Sequence, residues 1–211
     1  MPADNPSNGP DPYNPLDKRN LGTSVSDAML SKELVLLPPG ETFLGAGIYA
    51  IYSRGNHPLY RALLEAERSR GTRIPIYVGK AVPEGARKGG PGIDVPSGPV
   101  LYKRLREHAE SITEATNLKL GDFECRYLIV DDIWIPLGES LLIKKFAPLW
   151  NLVVDGFGNH DPGKGRHNQR RSPWDVVHPG RSWAKPLQPG LRTQVEIASD
   201  VEKFFSISEG A

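Results

Sequence analysis

The chain has 211 residues, 38% hydrophobic and 8% aromatic, with 22 Gly and 20 Pro: enough apolar material for one globular core, and too loop-rich to be all core. Its 26 Lys+Arg against 25 Asp+Glu leave a formal charge of +1, which excludes a globally basic nucleic-acid binder, so any phosphate-binding surface is local. The single cysteine, Cys125, excludes an intramolecular disulfide, and with no signal pattern and no apolar run near the roughly 20 residues of a membrane span, the expectation is a cytoplasmic protein without a membrane partner.

Residues 1–44 read as an N-terminal arm, rich in Pro, Asn, Asp and Gly from Met1 to about Asn20, and a short helix over Leu21–Leu37. Ser24 or Ser26 is its expected N-cap, Met29, Leu30 and Leu34 its apolar side, and Pro38-Pro39-Gly40 its stop. A β-type run, Gly45–Tyr52, contains Gly47-Ile48-Tyr49; a second, Ile74–Gly79, contains Tyr77-Val78-Gly79 and leads into Lys80. Paired antiparallel, these strands project Tyr49 and Tyr77 from one face, and Gly47 and Gly79 permit close backbone approach. Between them Pro58–Ser69 has helical composition, and Arg61, Arg68, Arg70 and Arg73 make the insert a basic, solvated surface.

Val82–Pro99 is a Pro/Gly-rich loop carrying Arg87 and Lys88, longer than a connector needs to be. Val100–Ser111 is helical, with Arg104 and His108 at i and i+4 on one face. Phe123–Asp132 alternates as a third strand; Pro136–Phe146 is a helix with Glu139 near its first turn; Trp150-Asn151 closes the core region 45–153. From 154 to 211 the composition turns to Gly, Pro, Arg, His and Trp, with a basic run holding Arg166, Arg170 and Arg171, continued by Arg181 and Lys185, and an amphipathic helix over Val195–Ile207. His160, His167 and Cys125 lack zinc-type spacing.

The two tripeptides, followed in order by Lys80, Arg104, His108, Glu139 and Asn151, resemble the GIY-YIG nucleases. The resemblance covers about Gly45–Asn151 and departs from the family pattern in the helical insert between the strands and in the long loop after the second. It implies an α+β fold, a small central antiparallel sheet flanked by helices with N- and C-terminal extensions. It also implies a catalytic set in which Tyr49 is general base, Tyr77 positions the water with it, Arg104 and His108 act from the helix, Glu139 binds metal and Asn151 closes the core.

Phosphodiester hydrolysis needs an activated water, a cation on the phosphate oxygens and help for the leaving oxygen. A lone carboxylate such as Glu139 suits Mg²⁺, which keeps several waters and uses one or two protein carboxylates. Arg104 can donate in fork geometry to a non-bridging oxygen. Tyrosine, with a pKa of about 10, needs either a shift toward phenolate, favoured by Lys80, Arg104, His108 or metal, or a partner such as His108 to take its proton.

The extensions make the chain resemble, among GIY-YIG enzymes, type II restriction endonucleases that cut the palindrome CCGCGG. A palindrome implies double-stranded DNA as partner, a homodimer and a cognate DNA methyltransferase. Arg87, Lys88, Arg166, Arg170 and Arg171 are the candidate DNA contacts, by phosphate or by guanine edges. The alternatives are a structure-specific repair or homing-type nuclease and a non-catalytic DNA-binding module.

Overall fold

The structure, a computed structural model, describes residues 14–83, 98–161 and 168–208. The arm before residue 14, most of the long loop with Arg87 and Lys88, and the part of the basic run that holds Arg166 lie outside the described residues.

Four strands, β1 (Val35–Leu36), β2 (Gly47–Ser53), β3 (Tyr77–Ala81) and β4 (Phe123–Ile129), form an antiparallel sheet in the order β1-β4-β2-β3. All seven residues of β2 are buried, because helices cover both faces of the sheet. Strand alternation sorts its side chains: Tyr49 and Ile51 enter one apolar cluster, while Ile48, Ala50 and Tyr52 enter the other. The fold is α+β.

On the face of Ile48 pack α1 (Lys18–Leu30) and α4 (Ile135–Phe146). The first helix is displaced from the expected Leu21–Leu37. Asp17 caps it, accepting from the Arg19 amide at 2.8 Å, whereas Ser26 lies inside it and bonds back to the Gly22 carbonyl. It stops at Leu30 because Val35 and Leu36 leave the helix to pair with Cys125 and Glu124 on β4.

On the face of Tyr49 pack α3 (Val100–Glu114), α5 (Leu149–Leu152) and the C-terminal helices α6 (Pro173–Val177) and α7 (Gln194–Ser208), with α2 (Arg61–Arg70) against α7. Val154, Phe157, Trp174, Val177, Ile197, Val201 and Phe205 share one cluster with Tyr49, Leu101, Leu105 and Trp150. The segment after residue 153, expected as an extension, therefore builds the same hydrophobic core as the sheet. Arg181 is fully buried within it and is not part of a basic surface. In the helical insert Arg61, Arg68 and Arg70 are exposed, but Arg73 is tied to Glu67, Glu124 and the Ser53 carbonyl.

Among the described residues no helix is long and apolar enough to cross a membrane. Cys125 is buried, which pushes its thiol up to about 12, so it is a core residue rather than a nucleophile.

Candidate active site

The site is assembled around β3, the edge strand opposite β1. In the β2–β3 register Tyr49 faces Gly79 and Ile51 faces Tyr77, so the two phenols share a face one diagonal apart, their ring centroids 6.2 Å from each other. Any Cβ on residue 79 would collide with the Tyr49 hydroxyl, so glycine there is what lets the buried Tyr49 ring lie across the strand.

Helix α3 brings Arg104 and His108 to this face. The Tyr49 hydroxyl and His108 Nε2 are 2.5 Å apart, and both residues are buried. Burial raises the Tyr49 pKa well above the usual phenol value, with the neighbouring Tyr77 adding to the rise. Burial likewise lowers that of His108 well below the usual imidazole value, and the Arg104 charge pushes the same way. Both groups are thereby held neutral, and a His108 that carries its proton on Nδ1 lets the phenol donate to Nε2. Of the two ways to make Tyr49 act as a base, the geometry supplies a proton acceptor rather than a standing phenolate. Tyr77 is also raised, chiefly by burial.

Lys80, one residue past Gly79, points to the opposite face by strand alternation. Its ammonium lies 2.7 Å from Glu139 on α4, so it is drawn to this carboxylate rather than to Tyr49, where it was expected to favour phenolate. The Glu139 carboxylate is nonetheless near enough to raise both Tyr49 and Tyr77 electrostatically. The two groups therefore flank one strand: phenols, arginine and imidazole on one side, the Lys80–Glu139 pair on the other.

Asn151, on α5, clasps the outer edge of β3. Its Oδ1 accepts from the Val78 amide at 2.8 Å and its Nδ2 donates to the Val78 carbonyl at 2.8 Å. Both ends of the amide are used on the strand between the two halves of the site, which pins their spacing.

Sequence reasoning missed a third contributor, residues 157–160. Phe157 stacks on His108 with centroids 4.4 Å apart and meets Tyr77 edge-on at 5.0 Å. The Gly158 carbonyl accepts from Arg104 Nη2 at 2.8 Å, and the Arg104 Nη1 donates to Glu107 at 2.8 Å and to the His160 ring. A Cβ on residue 158 would stand 2.5 Å from the Tyr77 hydroxyl. The one signal in the sequence was Gly156-Phe157-Gly158, an aromatic between two glycines soon after Asn151.

Of the candidate DNA contacts within the described residues, Arg171 donates to the carbonyls of Ala184 and Lys185, while Arg170 is exposed and reaches the Pro189 carbonyl at 3.3 Å. Arg170 lines a surface pocket with Asn159 and His160, beside the loop that meets Arg104.

Glu139 fits a Mg²⁺ ion that keeps most of its own waters: it is a single carboxylate, one oxygen of which meets Lys80. Among the described residues no group of three or more His, Cys, Asp or Glu forms a closed metal cage, so further oxygen ligands would come from water and substrate phosphate.

Compared with known families, residues 41–205 match the model described as the Eco29kI GIY-YIG domain. No curated protein matches the chain.

Proposed function

The chain belongs to the Eco29kI GIY-YIG domain family, a family of restriction endonucleases, and from that premise we propose that it is a type II enzyme that makes Mg²⁺-dependent double-strand breaks in a palindromic GC-rich DNA site, CCGCGG. It would work as a homodimer, each subunit cutting one strand, in the cytoplasm beside a cognate DNA methyltransferase. The observation that carries the catalytic reading is the buried Tyr49–His108 contact, set between the Arg104 donors and, across β3, the Lys80–Glu139 pair.

In this scheme the Tyr49 oxygen takes a proton from the attacking water as its own proton passes to His108 Nε2, so no free phenolate has to exist beforehand. Tyr77 fixes the water from the neighbouring position on β3. Arg104, already oriented by Gly158, donates to a non-bridging phosphate oxygen and offsets charge that builds in the transition state. Glu139 and Lys80 hold the other side of the phosphodiester; Mg²⁺ bound there would supply positive charge to the leaving oxygen. Arg87, Lys88, Arg166, Arg170 and Arg171 are proposed to contact DNA beyond the reacting phosphate.

Digestion of sequenced, unmethylated DNA with purified protein and Mg²⁺, followed by end mapping, tests this reading, with Glu139→Ala as control. Discrete metal-dependent ends centred on CCGCGG and absent in the variant are expected. Ends scattered without sequence, cleavage confined to branched or damaged DNA, or no cleavage at all would overturn it.

A further inference from the structure

Arg181 has no exposed side-chain surface, and its Nε lies 2.7 Å from Asp175 Oδ1, itself enclosed. Its guanidinium is held between two indoles, 4.5 Å from the Trp174 ring and 4.6 Å from the Trp183 ring. Taking a guanidinium out of water is costly, and an apolar side chain would fill the space more simply. What arginine adds is five donors in a rigid fork.

Those donors converge on one loop. Nη1 donates to the carbonyls of Phe157 at 3.1 Å and Asn159 at 3.3 Å, and Nη2 donates to that of Gly156 at 2.9 Å. The same loop turns its other side to the reacting groups, with the Gly158 carbonyl on Arg104 and the Phe157 ring on His108 and Tyr77. Four consecutive carbonyls are thus divided between two arginines: 156, 157 and 159 go to Arg181, and 158 goes to Arg104.

We infer that Arg181 is a positioning residue for cleavage: through the 156–159 loop it sets the orientation of Arg104 and the seat of His108. The inference rests on the nuclease reading for its consequence in rate, and on geometry alone for its consequence in structure. Displacing a transition-state donor by about 1 Å costs on the order of 100-fold in rate. Arg181→Lys, which keeps the charge and loses the fork, is therefore expected to slow single-turnover cleavage at saturating DNA by about that factor, while DNA affinity in EDTA changes less than about threefold.

The decisive comparison is in the Arg104→Ala background. A residue acting in part through Arg104 has less left to lose there, so the effect of Arg181→Lys should shrink to the share that passes through His108; general destabilisation would multiply in full. A second readout needs no cleavage. The Phe157 ring stacks on His108 with centroids 4.4 Å apart, so its ring current should shield the His108 Hε1 proton; that resonance, assigned with His108→Gln in histidine-labelled protein, is expected to move downfield in Arg181→Lys.

Wild-type cleavage rate in Arg181→Lys, a rate loss that persists in full without Arg104, or an unmoved His108 resonance in the folded variant each overturns the inference. A wild-type protein that cuts no DNA overturns the nuclease reading instead, and the His108 resonance then decides the clamp alone. Should Arg181→Lys melt below the assay temperature, Trp183→Leu, which opens one side of the sandwich and leaves the ion pair, is judged by the same readouts.

Discussion

The Tyr49 hydroxyl lies 2.5 Å from His108 Nε2, both residues are buried, and burial is the main reason that both groups stay neutral. A phenol in that setting is a base only while its imidazole can receive a proton. Tyr49→Phe and His108→Gln should each slow cleavage by about 10²- to 10⁴-fold, the range for losing a general base, with specific DNA binding retained in a shift assay. His108 is lowered, so the wild-type rate should stay level as pH falls through about 6.5, the ordinary imidazole value, and decline only below it. An acid limb centred above that value would show a charged His108 and sink the relay.

Glu139→Gln keeps the shape of the carboxylate and removes its charge, leaving Lys80 without its partner 2.7 Å away. Cleavage should fall by at least about 10²-fold, since metal-borne transition-state stabilisation is commonly worth that much or more, and raising Mg²⁺ should not restore it. Gel-shift affinity for the site should survive. Loss of binding by a folded variant would mean that the carboxylate organises the DNA surface rather than the chemistry.

Gly158→Ala puts a Cβ 2.5 Å from the Tyr77 hydroxyl, in a loop at the margin of the core. Tyr77 must swing or the loop must shift, and either moves Arg104. The expected result is a ~10- to 100-fold slower cut, as for a small misplacement of reacting groups, with a melting temperature within a few degrees of wild type. Normal kinetics in this variant would remove Tyr77 from the site.

Acid should weaken the fold through its buried histidines. His178 donates to Asn117, meets the Tyr60 hydroxyl, and is lowered to about 3 by burial, with the His57 and Arg181 charges adding to the effect. In the unfolded chain it titrates near 6.5. Between those values the unfolded state binds more protons, so stability is fully present above about pH 6.5 and drains away as pH falls toward 3. His108 contributes in the same direction. Urea melts at pH 7.5 and pH 5 should show the loss, and a His178→Gln variant that still folds should show a smaller one.

Ala147 ends α4 with φ at 44°, a left-handed conformation that costs a residue with a Cβ about 1 kcal/mol. Ala147→Gly should raise the unfolding free energy by up to about that amount, reduced by the greater freedom glycine gives the unfolded chain. Cleavage should not change, because Ala147 touches none of the site. A clear destabilisation in urea melts would refute the strain.

Much of the site was legible because its residues sit in short-range patterns. Period-two alternation put Tyr49 and Tyr77 on one face, and the i, i+4 spacing put Arg104 and His108 on one helix side. Element types were legible for the same reason, while boundaries moved wherever a distant partner intervened. Leu34–Leu37 carries a helix-compatible pattern, yet β4 offers an unpaired edge only in the folded sheet, so the chain goes there. The second buried pair, Tyr60 with His178, had no signal at all, since its members are 118 residues apart.

Residue pattern and order specified two glycine-tyrosine strands and an ordered set of polar residues suited to phosphodiester chemistry and, through the resemblance that these carry, implied an α+β core. Tertiary structure alone decided which charge faces which partner. Lys80 went to Glu139 because strand alternation and α4 set its neighbours, and Arg181, one more cation in a basic stretch, went inside because two tryptophans and Asp175 enclose it. A local pattern specifies the direction of a side chain from its own backbone; what lies in that direction depends on how distant elements pack, and only the folded chain holds that information.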